Sequence, residues 1–491
     1  MRRMPIPDGT GALRAGVGRA EITIRGPRER IHDPLCAKAL VLDDGRKRVA
    51  IVAMDVVAIG GICDVRDSFL PRLRRRIEKE LGIPAANVLV NASHTHPPGR
   101  ILCRDAEQIS RTFAAVRQAA RGLTPVRVGA GRGREERFII NRTLRLKSGR
   151  QWTIRQANPC PADEKVAALG PVDPEIGILR FDRLDGRPLA VVYNFACHPL
   201  IGVPHGRVTA NYPGFASKVI EETLGHGALA LFLQGAGGDV TEVLYKDVNR
   251  PRDAEPLGTQ LGLSTLRAWR RIRTGAADLE VINESVDLPR RTDIPRRIKG
   301  LEREEAKLLA SLRFTSLNFR TFLPLYLRYS LNPDFPADYA YRYLQAKSIG
   351  SDELAAMDAE NRAHLEKYLA NLRAMERLAH IQDEIATLAH HREINRRAGK
   401  PTIRAEVQGI RIGDSALITS PAELLVQVGL NLKKASPHRH TLVAAFSNGY
   451  MHYGPAAADY GKGGYEVTEC LLGPGWQRLY EAKAKGIIRK L

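Results

Sequence analysis

Asn87-Val88-Leu89-Val90-Asn91-Ala92-Ser93 runs straight into His94-Thr95-His96-Pro97-Pro98-Gly99, and its reading decides the fold. A short apolar run closed by a Pro-Gly turn signal reads as a buried strand that then stops. In an α/β sheet the groups that do chemistry stand beyond the carboxyl ends of the strands, and His94 and His96 occupy such a place. Histidines at i and i+2 of an extended chain point to one face. Both therefore reach one site, where one can ligate a metal while the other moves protons. A second strand, Val191-Val192-Tyr193-Asn194-Phe195-Ala196-Cys197, ends likewise in His198-Pro199. The spacing matches no short zinc signature such as H-E-x-x-H, so unrelated loop histidines are the competing reading at this point.

Outward from this stretch the same rhythm recurs. Residues 48–57 read as a strand, 65–81 as an amphipathic helix closed by Gly82 and Pro84, and 106–121 as a second helix. Strands follow near 126–129, 176–181 and 189–196, then a helix at 212–224, a strand at 228–233, and further strands over 402–418 and 441–446. The fold class is α/β, with mixed β-sheets flanked by helices. From about 295 to 400 the strand signals vanish, and the chain reads as a helical insertion. Leu365, Leu369, Leu372, Met375, Leu378, Ile381, Ile385 and Leu388 form a stripe there, read as a helix packed on its own domain. The alternative use of the insertion is a seam for a homo-oligomer. Phe314, Phe319, Phe322, Tyr326, Tyr329, Phe335, Tyr339, Tyr341 and Tyr343 crowd the same region. Packing between helices accounts for them, and a lip over a substrate is the sharper account.

Three further strand ends carry polar groups. Gln234-Gly235-Ala236-Gly237-Gly238-Asp239-Val240-Thr241 is a small-residue loop around one carboxylate, without the lysine of a phosphate-binding loop. Its plain reading is a tight turn with Asp239 as a cap, and Asp55 has the same ambiguity. Ser420-Pro421-Ala422-Glu423 fits a capping box with proline at the first helical position. Ser447-Asn448-Gly449-Tyr450-Met451-His452-Tyr453 is a turn dense in phenols and imidazole.

Composition narrows the partners. The net charge of +21 comes from arginines and lysines spread along the chain rather than gathered in a block. With no zinc-finger spacing or aromatic RNA-binding signature, nucleic acid is not the expected partner. A positive cleft for an anionic substrate is the functional use of such a charge. No apolar run is long enough to cross a membrane as a helix. Without a signal-peptide pattern, and with Cys36, Cys63, Cys103, Cys160, Cys197 and Cys470 far apart, the expected setting is cytoplasmic, with reduced thiols.

Taken in order, His-Thr-His, Ala-Cys-His-Pro, Gly-Gly-Asp-Val, Pro-x-Glu and Tyr-x-His-Tyr resemble the catalytic domain of the neutral ceramidase family. The opening segment Ala15-Gly16-Val17-Gly18-Arg19-Ala20-Glu21-Ile22-Thr23, then Asp33-Pro34-Leu35 and Lys38-Ala39-Leu40-Val41-Leu42, are similar to the start of that family. The resemblance implies one catalytic domain from 1–294 and 401–491, interrupted by the insertion at 295–400, without the family's C-terminal immunoglobulin-like domain. It also implies Zn2+ held by His94, His198, Glu423 and Tyr453. His96 would then stand beside the attacking water, Arg142 near the acyl group, Tyr465 over the oxyanion and Asp239 in the loop beside the metal. Three positions depart from the family pattern: Thr241 replaces a serine, Asn211 an aspartate, and Pro97 a serine. The expected function is zinc-dependent hydrolysis of an N-acyl amide. A zinc esterase or lactonase and a non-catalytic ligand-binding homologue are the alternatives.

Overall fold

The computed structural model describes residues 12–23, 30–62, 65–96, 103–154, 161–243, 251–336 and 340–491. Cys63, Pro97, Cys160 and Tyr339, singled out above, lie outside them, as does the N-terminal stretch before residue 12. The chain divides into two compact units, Met1–Arg291 with Lys400–Leu491, and Thr292–Gly399.

The larger unit is built on an eight-stranded sheet. Across it the strands run Leu229–Gln234, Pro188–Phe195, Glu175–Arg183, Thr124–Arg134, Arg14–Glu21, Cys36–Asp43, Arg48–Met54 and Val88–Ala92. The inner pairs are antiparallel, while the pair at each end is parallel. Parallel neighbours need a crossover. Helix Phe69–Leu81 supplies it between Arg48–Met54 and Val88–Ala92, and helix Asn211–Leu224 between Pro188–Phe195 and Leu229–Gln234. Each end of the sheet is thus a β-α-β unit. Val88–Ala92 is buried at every position, as a strand covered on both faces must be.

Against this sheet packs a second, of four strands: Leu279–Pro289, Thr402–Ile412, Ser415–Thr419 and His440–Ala444. Leu40, Ile51, Leu89 and Leu231 of the first share one core with Ile410, Leu417 and Leu442 of the second. Phe113, Val116, Leu73 and Ile77 of helices Asp105–Arg121 and Phe69–Leu81, and Trp476 and Tyr480 of helix Trp476–Lys490, belong to the neighbouring core. Mixed sheets flanked by helices are therefore the architecture, as the sequence pattern predicts.

Two buried asparagines lock the strand ends together. Asn91 donates from Nδ2 to Ala445 O at 2.6 Å and Ser447 Oγ at 2.9 Å, and its Oδ1 accepts Gln234 N at 2.9 Å. Asn194 donates to Leu233 O at 2.8 Å and Val443 O at 3.0 Å. The eight-stranded sheet curls so that its two edge strands meet through Asn91, with the second sheet stitched between them. No disulfide joins Cys36, Cys103, Cys197 and Cys470, all of which are buried. No helix among the described residues is long and apolar enough to cross a membrane.

The smaller unit contains helices Ile294–Ser311, Phe319–Leu331, Ala340–Ser348 and Glu353–Ala398, and no strand among its described residues. Ile294, Ile298 and Leu301 pack on Ile381 and Leu388. Asn318 and Thr321 form a reciprocal capping box at the start of the second helix. The aromatic crowding divides in two. Phe322 stacks on Tyr368 at 4.5 Å, and Tyr329 donates to buried Asp358 at 2.6 Å, whereas Phe314 is 87% exposed and Tyr341 63%. Packing between helices thus accounts for only part of the cluster. Met375 also leaves the apolar stripe, being 57% exposed.

Candidate active site

His94 and His198 follow the strands Val88–Ala92 and Pro188–Phe195, so the two β-α-β units deliver one imidazole each. Nδ1 of His94 is 2.7 Å from Val57 O, and Nδ1 of His198 is 2.6 Å from Gly237 O. A carbonyl can only accept, which assigns the ring proton to Nδ1 and leaves the lone pair on Nε2. Both Nε2 atoms face one oxygen. Glu423 Oε2 lies 3.2 Å from His198 Nε2 and 3.5 Å from His94 Nε2. His96 Nε2 lies 3.0 Å from His94 Nε2, and one nitrogen of each of the three rings falls within 4.8 Å of the others. His94, His198 and Glu423 are buried, while His96 keeps one side open to solvent and turns its Nε2 inward onto His94.

The segments that follow strands Ser415–Thr419 and His440–Ala444 of the second sheet contribute the opposite wall. Glu423–Leu424 and Tyr453–Gly454 pair as two short parallel strands with Glu423 beside Tyr453. The Tyr453 ring stacks 6.4 Å from His198, and its hydroxyl accepts Arg142 Nη2 at 3.0 Å. Arg142 also donates Nη2 to Gly238 O and Nε to Glu466 Oε1, both at 2.8 Å. Thr153 and Thr143 hydroxyls reach the other Glu466 oxygen at 2.8 and 3.2 Å. Tyr450 donates its hydroxyl to Glu423 Oε1. Tyr465 meets the Tyr453 ring edge-on at 5.5 Å.

Burial sets the electrostatics. It pushes His94 down to about 4, with the Glu423 charge opposing, and pushes His96 well below the usual imidazole range, helped by the neighbouring His94 and His198. Both rings are neutral at pH 7. Burial works against the charge on Glu423, yet the Tyr450 hydroxyl, and His94 and His198 whenever they carry a proton at Nε2, hold its carboxyl well below the carboxylate range. Burial and then the Glu423 charge raise the Tyr453 phenol, while Arg142 opposes them.

Several expectations change on this geometry. Ser420-Pro421-Ala422-Glu423 is not a helix start: Glu423 is in a strand, the helix begins at Val426, and the carboxylate faces the histidines. His94 is not extended, since its φ is +64°, so it reaches His96 through a bent backbone rather than a shared strand face. The Asp239 carboxylate is not gathered with the imidazoles. It accepts Val426 N at 2.8 Å and Asn141 Nδ2 at 2.7 Å, tying the glycine loop to the helix after Glu423. Thr241 gives its hydroxyl to buried Glu242 at 3.0 Å. Asn211, where an aspartate was expected, donates Nδ2 to Pro199 O at 3.0 Å, which an ionised aspartate could not do. The glycines in the loop admit protein rather than phosphate: a Cβ on Gly237 would meet Cys197 N at 2.7 Å, and one on Gly238 would meet Glu423 O at 2.8 Å.

Sequence reasoning missed Tyr450 and Glu466. Each adjoins a residue already singled out, but no spacing marks a hydrogen-bond partner contributed by a distant segment. His94, Phe446, Asn448 and His452 all have positive φ, between 53° and 64°. Such strain in non-glycine residues gathers at functional sites.

Comparison with solved structures adds the architecture. A ceramidase solved in complex with C2 superposes with a TM-score of 0.60 at 16% identity, covering 98% of this chain and 76% of the other. The neutral ceramidase of Pseudomonas aeruginosa superposes with a TM-score of 0.59 at 18% identity, covering 98% and 75%. The chain has the neutral ceramidase fold. No protein-family model matches it.

Proposed function

We propose that the larger unit is a zinc-dependent amidohydrolase that cleaves the N-acyl bond of a small molecule, with water as the nucleophile. One observation carries the reading. Two buried imidazoles, each with Nδ1 committed to a carbonyl, turn their Nε2 lone pairs onto the same carboxylate oxygen at 3.2 and 3.5 Å. Lone pairs facing an anion in a buried site repel it unless a cation is shared. Imidazoles oriented by carbonyl hydrogen bonds, with a carboxylate beside them, fit the donors and supporting contacts that zinc takes. His94, His198, Glu423 and Tyr453 would hold it. Zinc in such a set lowers the pKa of water from about 15.7 to roughly 7 and polarises a scissile carbonyl.

The chain's own groups divide the remaining tasks. His96, neutral at pH 7 and open to solvent, takes the proton from water and returns it to the leaving amine. Arg142 holds the Tyr453 oxygen by its hydrogen bond at 3.0 Å and favours negative charge there. Tyr465, edge-on to Tyr453, stabilises the oxygen of the tetrahedral species. Asp239 positions the glycine loop, whose Gly237 carbonyl orients His198. Thr241 is buried and turns its hydroxyl onto Glu242.

Both solved neighbours are ceramidases, so an acyl amide is the substrate class to test first. Purified protein supplemented with zinc is expected to hold about one ion per chain, and His94→Ala and His198→Ala to lose both metal and hydrolysis. An empty wild-type site by elemental analysis would end the proposal. Tyr453→Phe is expected to weaken zinc binding; unchanged affinity would remove Tyr453 from the donor set. Matched amide and ester substrates decide the bond: faster ester cleavage without amide turnover would make the protein an esterase.

A further inference from the structure

A second site lies away from the histidines, where strand Thr124–Arg134 meets the end of helix Glu255–Trp269. Gly129 and Gly131 let the segment after that helix lie flush on the strand. A Cβ on Gly129 would meet Arg273 O at 2.2 Å, and one on Gly131 would meet Ile272 Cγ1 at 2.5 Å. Val128 and Gly275 pin the two chains by exchanging backbone hydrogen bonds at 2.8 and 2.9 Å. The result is a groove of about 1100 Å³ lined by seven arginines and three acidic residues.

The charge there is not balanced. Glu135 and Glu136 are taken by Arg137 and Arg134. Arg267, Arg271, Arg273 and Arg439 are exposed and form no ion pair among the described residues. The inner wall adds a second, independent feature. His440 is 7% exposed, lines the groove, and has a buried Nδ1 without a hydrogen-bond partner. Burial lowers its ring below the usual imidazole range, with Arg132 and Arg439 adding to this and Asp414 and Glu175 opposing it. Asp414, the third acidic residue, is outnumbered by these guanidinium groups; the excess costs self-repulsion that an anion relieves, and planar guanidinium forks match phosphate oxygens.

We propose that this groove binds a small molecule carrying two or more phosphate groups, either free in solution or as the headgroup of a lipid. Arg267, Arg271, Arg273 and Arg439 grip the phosphates, with His440 in the inner wall. The site is independent of the zinc reading, because it shares no residue with it.

Isothermal titration with sodium tripolyphosphate tests it, using the full chain. Saturable binding at one site, weaker at higher salt, is expected. The double variant Arg271→Gln with Arg439→Gln, both exposed and outside the core, is expected to weaken it about tenfold or more, one charge-assisted contact of about 1.4 kcal/mol being tenfold. Its melting temperature should stay unchanged. Phosphatidylcholine vesicles with and without a phosphatidylinositol bisphosphate distinguish the sources: sedimentation with the phosphorylated vesicles, relieved by tripolyphosphate, assigns a lipid headgroup, and tripolyphosphate binding without sedimentation assigns a soluble ligand. No binding of tripolyphosphate, or equal affinity in the double variant, overturns the proposal. Binding of duplex DNA that tripolyphosphate does not displace also overturns it.

Discussion

At the scale of single residues, the candidate site is surrounded by buried charge that the fold has to carry. Glu242 is the clearest case outside the cluster of His94, His198 and Glu423. Its carboxylate accepts Leu200 N at 2.8 Å, Ile201 N at 3.1 Å and Thr241 Oγ1 at 3.0 Å, yet burial outweighs these bonds and lifts it from 4.5 to about 7. A raised carboxyl means that the unfolded chain gives up its proton first as pH rises. Stability is therefore complete below about 4.5 and falls until about 7, a loss on the order of 3 kcal/mol. Glu242→Gln keeps an oxygen for the two backbone N–H groups and has no charge to bury. Thermal unfolding across this range is expected to show the variant gaining on the wild type from pH 5 to 7.5. Parallel curves would mean that the charge is not buried at a cost. The histidines of the candidate site were legible in sequence as polar groups at strand ends. Their partners Tyr450 and Glu466 were not, because a hydrogen bond between segments leaves no periodic trace.

Secondary-structure elements set how accurately the histidines are aimed. Gly237 lies between strands, with its carbonyl on His198 Nδ1 and its Cα against the chain just before that histidine. Gly237→Ala would push on Ala196 C and Cys197 N at 2.8 and 2.7 Å, backbone atoms with no room to yield. The variant is expected to lose about 1–3 kcal/mol, as overpacked cores do, and to bind zinc more weakly. Denaturant unfolding and a zinc-chelator competition check the two effects; a variant unchanged in both would make the close approach unimportant. The strands that carry His94 and His198 could be read because they are apolar and buried throughout. Glu423 could not, since Ser-Pro-Ala-Glu is locally a helix start. Pairing with Tyr453–Gly454, nearly thirty residues later in the chain, overrides that local preference.

For the whole molecule, the connection between the units is a hairpin. Strands Leu279–Pro289 and Thr402–Ile412 are antiparallel, with Pro289 opposite Thr402, so Thr292–Gly399 enters and leaves where a turn would suffice. Replacing residues 292–399 by an Asn-Gly turn is expected to leave a folded protein with the zinc stoichiometry of the full chain, because the turn suits the twist of the strands. Circular dichroism and elemental analysis read the outcome. A soluble, folded product without metal would make the insertion part of the site.

The sequence by itself determined the alternation of buried strands and amphipathic helices, and the histidines at their ends. Those features are local, written in hydrophobic period and in turn residues. Only the tertiary structure decided which strand ends meet. The eight-stranded sheet curls until Asn91 joins its two edges, and a separate pair of short strands brings Glu423 and Tyr453 to His94 and His198. Convergence of that kind depends on long-range burial and backbone pairing, and residue spacing holds no record of it.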